Sequence, residues 1–132
     1  LKSDIVQDCG LSMNPKIDIG QIEGAFIQGL GWLTCEELFW NNHGKLMTTG
    51  PSTYKIPGSR DMPNSLNVKL LDNSPNVEKT IFRSKAVGEP PLMLAISVWL
   101  AIRNAVSNYR KDSVLNLNAP ATPEEILKAI NS

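Results

Sequence analysis

Ser84-Lys85-Ala86-Val87-Gly88-Glu89-Pro90-Pro91 joins a strand candidate, Lys79 to Ser84, to a long apolar run from Leu92 to Ile102. Gly88 can take backbone angles closed to other residues, and the fixed φ of Pro91 suits a first helical position. A helix is therefore expected from Pro91 to about Tyr109, with Glu89 at or just before its start. Its first three turns are apolar enough to require burial, whereas Arg103, Asn108 and Arg110 gather at an exposed end where positive charge suits the dipole. On local pattern alone Glu89 is a helix-terminal acid, worth only about 0.3–1 kcal/mol.

Working outward, the chain alternates strands and helices. Asp4 to Asp8 reads as a short strand, and Cys9-Gly10 through Asn14-Pro15 as a turn-bearing loop. From about Ile19 to Phe39 the apolar positions Ile22, Phe26, Leu30 and Leu33 recur at helical spacing and define one stripe. Asn41-Asn42-His43-Gly44 is a hairpin-like turn leading to a strand over Lys45 to Thr49, and Gly50 to Pro57 is extended between prolines. Leu66 to Leu71 alternates as a half-buried strand, followed by a turn over Asp72 to Asn76. Near the end, Thr122-Pro123-Glu124-Glu125 offers an N-cap, a proline at the first position and a capping-box glutamate for a last short helix.

Strands separated by helices, with antiparallel-looking pairs in the middle, predict an α+β fold: a two-layer α/β sandwich with a mixed sheet. A doubly wound parallel fold lacks support, because Gly29-Leu30-Gly31 has no third glycine and lies inside a predicted helix. The first long helix carries Gly20, Gly24, Gly29 and Gly31 although each interior glycine costs about 1 kcal/mol relative to alanine. Close packing against another element, or close approach of a bound group, must compensate.

Composition narrows the function. The 132 residues carry 13 basic and 13 acidic side chains, a formal net charge of zero that gives no reason to expect nucleic acid. The apolar run ends at Arg103, short of the roughly 20 residues of a membrane span, and the reading is a soluble chain. Cys9 and Cys35 have no CxxC spacing and the single histidine, His43, stands apart, so reduced structural thiols in a cytoplasmic protein are expected and zinc is a remote alternative. No signal peptide is expected, since Leu1 to Val6 read as a strand, and the strand-like opening without Met is read as the interior of a longer chain.

The Lys85-Ala86-Val87-Gly88-Glu89-Pro90-Pro91 segment resembles the molybdenum hydroxylases, the xanthine dehydrogenase and aldehyde oxidase family, near the end of their molybdopterin-binding portion. Gly20-Gln21-Ile22-Glu23-Gly24-Ala25-Phe26 resembles the segment of that family that contacts the cofactor, and Gly50 to Pro57 a further landmark loop. The likeness runs from Asp4 to about Ile130. It implies that residues 1–132 are the C-terminal portion of a larger molybdenum-cofactor-binding domain, a fragment inactive by itself.

The resemblance also assigns roles. Glu89 is implied as the general base that takes a proton from a metal-bound hydroxyl, so that the oxygen attacks an electron-poor substrate carbon while hydride passes to a sulfido ligand. Gln21 is implied as a cofactor-binding residue, its amide offering donor and acceptor without charge. By sequence alone a glutamine there is a capping or surface residue. Lys85 is either solvated or a partner for anionic groups of the cofactor, and Glu23, Glu36 and Glu37 are expected on solvated or subunit-facing helix surfaces. No protein side chain is expected to bind the metal.

A molybdenum-pterin cofactor is thus implied, with 2Fe-2S clusters and FAD on other domains or subunits. The partners implied are the rest of the molybdopterin subunit, the iron-sulfur/FAD part, a purine oxidised from hypoxanthine or xanthine to urate, and further copies in a homo-oligomer; no nucleic acid and no membrane. The two prolines after Glu89 lie nearer the xanthine dehydrogenase branch than aldehyde oxidase, which stays an alternative, as does a non-catalytic subunit-assembly domain.

Helices built to pack inside a larger enzyme leave apolar surface uncovered when alone, and patches beyond a few hundred Å² are rare on monomers. The isolated chain is expected to self-associate and to bind an apolar dye. A clean monomer at high concentration in sedimentation, without dye binding, would contradict this.

Overall fold

The computed structural model describes residues 2–111 and 116–131. Strand β1, Lys2–Gln7, leads into helix α1, Pro15–Thr34, and the chain returns to strand β2, Ser65–Leu70. A 3₁₀ turn, Ile81–Arg83, precedes a 3₁₀ helix, Pro90–Ala95, which runs directly into helix α2, Ile96–Arg110; helix α3, Pro123–Asn131, ends the chain. Helices plus a small sheet agree with the α+β class. Among the described residues, however, the sheet is two strands, β1 and β2, pairing in parallel from Lys2↔Ser65 to Gln7↔Leu70, instead of a mixed sheet.

Helix α1 starts four residues before its expected position. The Asn14 side chain accepts from the Ile17 amide at 3.3 Å, and Pro15 supplies the first helical φ, so the supposed loop end is a cap. The helix also stops at Thr34, short of Phe39. Both the Cys35 and Glu36 amides close on the Gly31 carbonyl at 2.9 Å, and the Thr34 hydroxyl bonds back to Leu30.

Two expected strands do not form. Lys45 to Thr49 is reduced to a single bridge, Trp40↔Leu46, because Thr48 and Thr53 side chains take up the neighbouring backbone amides of Phe39 and Thr49. The hairpin turn itself is present, with Gly44 at φ +75° and its amide on the Asn41 carbonyl at 2.9 Å. Lys79 to Ser84 is a turn in which Phe82 and Arg83 both adopt left-handed φ, 50° and 57°. Hydrogen bonds from Thr80 and Asn76 to the Ser84 carbonyl hold it. The helix after Glu89 opens as a 3₁₀ segment since neither Pro90 nor Pro91 has an N–H to donate.

The core gathers the predicted α1 stripe, Ile22, Phe26 and Leu30 with half-buried Leu33, around Ile5, Cys9, Val87 and Ala95. Leu66, Val68 and Leu70 of β2 pack against it and alternate with exposed Asn67 and Lys69, as the pattern required. A second cluster joins α2 to α3 through Val106, Leu117, Ala121 and Ala129. Thr122 caps α3 through the Glu125 amide at 3.3 Å, but the Glu125 carboxylate turns to Lys128 and Asn118 and leaves the box half made.

The glycines of α1 divide into two pairs. A Cβ on Gly29 would overlap the Leu92 carbonyl and stand 2.8 Å from the Ala95 Cβ, and one on Gly31 would stand 2.6 Å from Pro57. Gly20 and Gly24 face open space, with no atom within 4 Å of a Cβ there.

Pro90–Arg110 forms 21 continuous helical residues, by length and composition enough to cross a membrane and longer than the apolar run counted from sequence. Its Pro91 and Ala95 are buried against α1, whereas Met93, Ile96 and Leu100 are exposed, so burial is less complete than the first three turns suggested.

Gly29→Ala is expected to destabilise the dilute chain by about 1–3 kcal/mol through overpacking. Gly24→Ala should instead be neutral or stabilising by up to about 1 kcal/mol, since only helix propensity changes. Denaturant titration of both variants checks the contrast; equal effects would show that the Gly29 contact is not tight.

Candidate functional site

Glu89 stands at the head of the 3₁₀ helix with φ −94° and ψ −39°. Its carbonyl accepts from the Leu92 amide at 3.0 Å, but its carboxylate makes no cap hydrogen bond and is exposed. The simple helix-capping account of this acid therefore lacks its defining contact. Gln21 lies seven residues into α1, inside the helix and exposed, where a glutamine has no end to cap.

The fold brings these two segments together although 68 positions separate their numbers. A Cβ on Gly88 would lie 3.6 Å from Gln21 Oε1, an ordinary contact and the closest one there. Gly20 and Gly24 flank Gln21 one turn apart on the same side of α1. The result is a face of three glycines around one amide, with the Glu89 carboxylate next in the chain.

Both ends of the Glu89 loop are anchored. Upstream, the Lys85 amide bonds the Cys9 carbonyl at 2.9 Å, the Leu11 amide bonds Arg83 at 3.1 Å, and Gly10 and Ser84 form an antiparallel bridge. Gly10 is at φ +66°, and a Cβ there would run into the Arg83 carbonyl, so this close approach requires glycine. Val87 is buried in the core two residues before Glu89. Downstream, the Gly29 contact fixes Leu92 and Ala95.

Lys85 is partly exposed and already paired within the chain: Nζ donates to Asp8 Oδ2 at 2.5 Å while Asp8 Oδ1 accepts from the Gly10 amide at 2.9 Å. The Lys85 hydrogen bond first, and the Gly10 amide second, hold the Asp8 carboxyl below the usual range. Sequence reading passed over Asp8, although an acid two residues before a glycine at a strand end is an Asx-turn signal. Glu36 likewise has a partner inside the chain, accepting from the Tyr54 hydroxyl at 2.5 Å, which raises the Tyr54 pKa. Cys9 is buried, and desolvation raises its thiol pKa; both cysteines are free.

Grooves lie elsewhere. One of about 1040 Å³ runs between β1, α1, α2 and α3 past Phe26, Leu30, Leu94 and Ile126. Neither Gln21 nor Glu89 lines it, so the two stand on an open face. Among the described residues no group of three His, Cys, Asp or Glu side chains could hold a metal ion.

Residues 1–63 match the family model of a molybdopterin cofactor-binding domain. The chain is 52% identical over 136 residues to xanthine dehydrogenase/oxidase of Felis catus, covering 98% of this chain and 10% of that protein. Xanthine dehydrogenase 2 of Arabidopsis thaliana is 52% identical over 139 residues, covering 97% and 10%. Among solved structures, quinoline 2-oxidoreductase from Pseudomonas putida 86 superposes with a TM-score of 0.83 at 29% identity, covering 98% of this chain and 16% of that one. Reconstituted CO dehydrogenase from Oligotropha carboxidovorans shares the fold, with a TM-score of 0.79 at 18% identity over 97% of this chain and 15% of that one. The chain spans about a tenth of the length of the curated relatives it matches.

Because the Asp8 carboxyl is depressed on folding, its contribution to stability is present above the unfolded value near about 3.9 and is lost as pH falls through the lower folded value. Thermal midpoints should drop through this acid window, and Asp8→Asn should flatten the drop. An unchanged slope in Asp8→Asn would show that the pair contributes no linkage.

Proposed function

We propose that this chain, which belongs to the molybdenum hydroxylase family of xanthine dehydrogenases and aldehyde oxidases, supplies the proton acceptor and one cofactor contact of a xanthine dehydrogenase-type active site. The observation that supports this most is the meeting of Gln21 with Gly88, which sets a neutral amide beside the loop carrying a carboxylate without a hydrogen-bond partner among the described residues. In this reading residues 1–132 are the C-terminal portion of a molybdopterin-binding domain, and strands elsewhere in the protein extend the sheet into a mixed two-layer sandwich. The iron-sulfur clusters and FAD belong to other domains or subunits, and the substrate is a purine.

The residues present suit such a group. Gly20 and Gly24 leave a strip of α1 that no other element covers among the described residues, and side chains at these positions would fill it. Gln21 can donate and accept there without altering local charge. When bound, the molybdenum-pterin cofactor supplies the two-electron redox chemistry that side chains lack.

Glu89 then accepts a proton at the reacting centre, for which it must be ionised beforehand and within about 2.6–3.2 Å of the donor. Its carboxylate is exposed in the chain and open to a donor supplied from outside it. Gln21 would hold the bound group through its amide, and the absence of side chains at Gly20 and Gly24 would leave room for it beside the helix.

A second reading, a non-catalytic assembly domain, draws on the 1040 Å³ apolar groove and on exposed Leu38, Phe39 and Trp40. The two readings separate in the full-length protein. Glu89→Gln keeps size and hydrogen bonding but cannot take the proton, so turnover with xanthine should fall about 10²–10⁴-fold with molybdenum content unchanged. Gln21→Ala should lower molybdenum occupancy or turnover while subunit folding stays intact. Near-normal reductive half-reaction rates in Glu89→Gln would remove the base assignment, and assembly indifferent to both variants with full activity would favour the scaffold.

A further inference from the structure

We propose that Asp8 and Lys85 are positioning residues that set the direction of the Glu89 carboxylate, an inference that rests on the reading of Glu89 as proton acceptor. The Glu89 side chain has no hydrogen-bond partner among the described residues, so within them its direction is set through the backbone. Only Ala86, Val87 and Gly88 lie between Lys85 and Glu89, and at about 3.3–3.6 Å per residue there is little slack to absorb a shift.

Asp8 uses both oxygens to hold the entrance of this loop, one on the Gly10 amide at 2.9 Å and one on Lys85 Nζ at 2.5 Å. It thereby ties together the two sides of the Gly10↔Ser84 bridge. The bridge is flanked by Gly10, Phe82 and Arg83, all at left-handed φ. Phe82 and Arg83 carry side chains, and such angles persist only where the surroundings over-determine them. At its other end the loop is fixed by the Leu92 amide on the Glu89 carbonyl at 3.0 Å.

Each partner of the pair is about one-third exposed, 34% for Lys85 and 35% for Asp8, and pairs so placed contribute little to stability. Their effect is therefore on geometry. Loss of the ion pair leaves the upstream end held by its backbone bonds alone while the other end stays anchored, and the carboxylate shifts.

The test uses the full-length protein loaded with its cofactor. Asp8→Asn retains the Gly10 contact and Lys85→Met retains Asp8, yet each should lower the limiting reductive rate about tenfold, within the range known for sub-ångström to 1 Å misplacement. KM and molybdenum content should stay within about twofold. In a Glu89→Gln background, adding Asp8→Asn should change the residual rate less than about twofold, because nothing remains to be positioned. Independently of turnover, hydrogen exchange at the Lys85 and Leu11 amides should accelerate about tenfold in both single variants.

A wild-type rate in Asp8→Asn, with Glu89→Gln inactive, overturns the positioning role and leaves the proton acceptor standing. Equal losses with and without Glu89 overturn it as well. Full activity of Glu89→Gln overturns the acceptor reading and this inference with it. Should Asp8→Asn fail to fold, Lys85→Met decides by the same measurements.

Discussion

The contact between Gly29 of α1 and the Leu92 carbonyl is the constraint on which the rest of the arrangement depends. Backbone meets backbone there with no side chain between, so the 3₁₀ helix can lie close along α1 and bury Ala95 beside Phe26 and Leu30. This approach sets the height of the Pro90-Pro91 step against α1, and hence of Glu89 just before it. The same helix then offers its earlier turns, with Gln21, to Gly88. One tight contact thus registers two distant segments of chain, because a packed interface does not deform continuously.

A consequence is a division of labour among glycines in a single helix. Gly29 and Gly31 are consumed by packing within the chain, the one against the Leu92 carbonyl and the other against Pro57. Gly20 and Gly24 cost helix stability without any return inside the chain. Gln21 lies between them in the helix, and its amide is the nearest group to a Cβ on Gly88, the residue before Glu89. The apolar groove between β1, α1, α2 and α3 is a separate open surface, lined by neither Gln21 nor Glu89. A chain one-tenth the length of its relatives is expected to show both kinds of open surface.

Periodic burial was readable in advance. Ile22, Phe26 and Leu30 repeat with the helix period, and Leu66, Val68 and Leu70 with the strand period, and both sets face the core because repetition leaves only one face to bury. Signals that depend on partners were not. Lys79 to Ser84 has the β-branched and aromatic content of a strand, yet among the described residues its pairing is limited to the Gly10↔Ser84 bridge, and local hydrogen bonds from Asn76 and Thr80 draw it into a turn. Lys45 to Thr49 keeps a single bridge, because the Phe39 amide opposite it and its own Thr49 amide bond to threonine hydroxyls. The start of α1 was legible but overlooked, since Asn14-Pro15 is a cap followed by a first-turn proline.

At the site the same line divides what each level decided. The residue types came from sequence: a carboxylate between a glycine and two prolines, an uncharged amide among glycines, and their resemblance to one family. Their meeting came from tertiary structure, because which side of α1 touches Gly88 depends on the Gly29 contact and not on any local preference. The parallel pairing of β1 with β2 and the Asp8–Lys85 ion pair belong to that second class too. Local patterns encode which face of an element is buried and where it starts. Only the folded chain brings positions 8 and 85, or 21 and 88, within contact, since such pairings arise from the packing of whole elements.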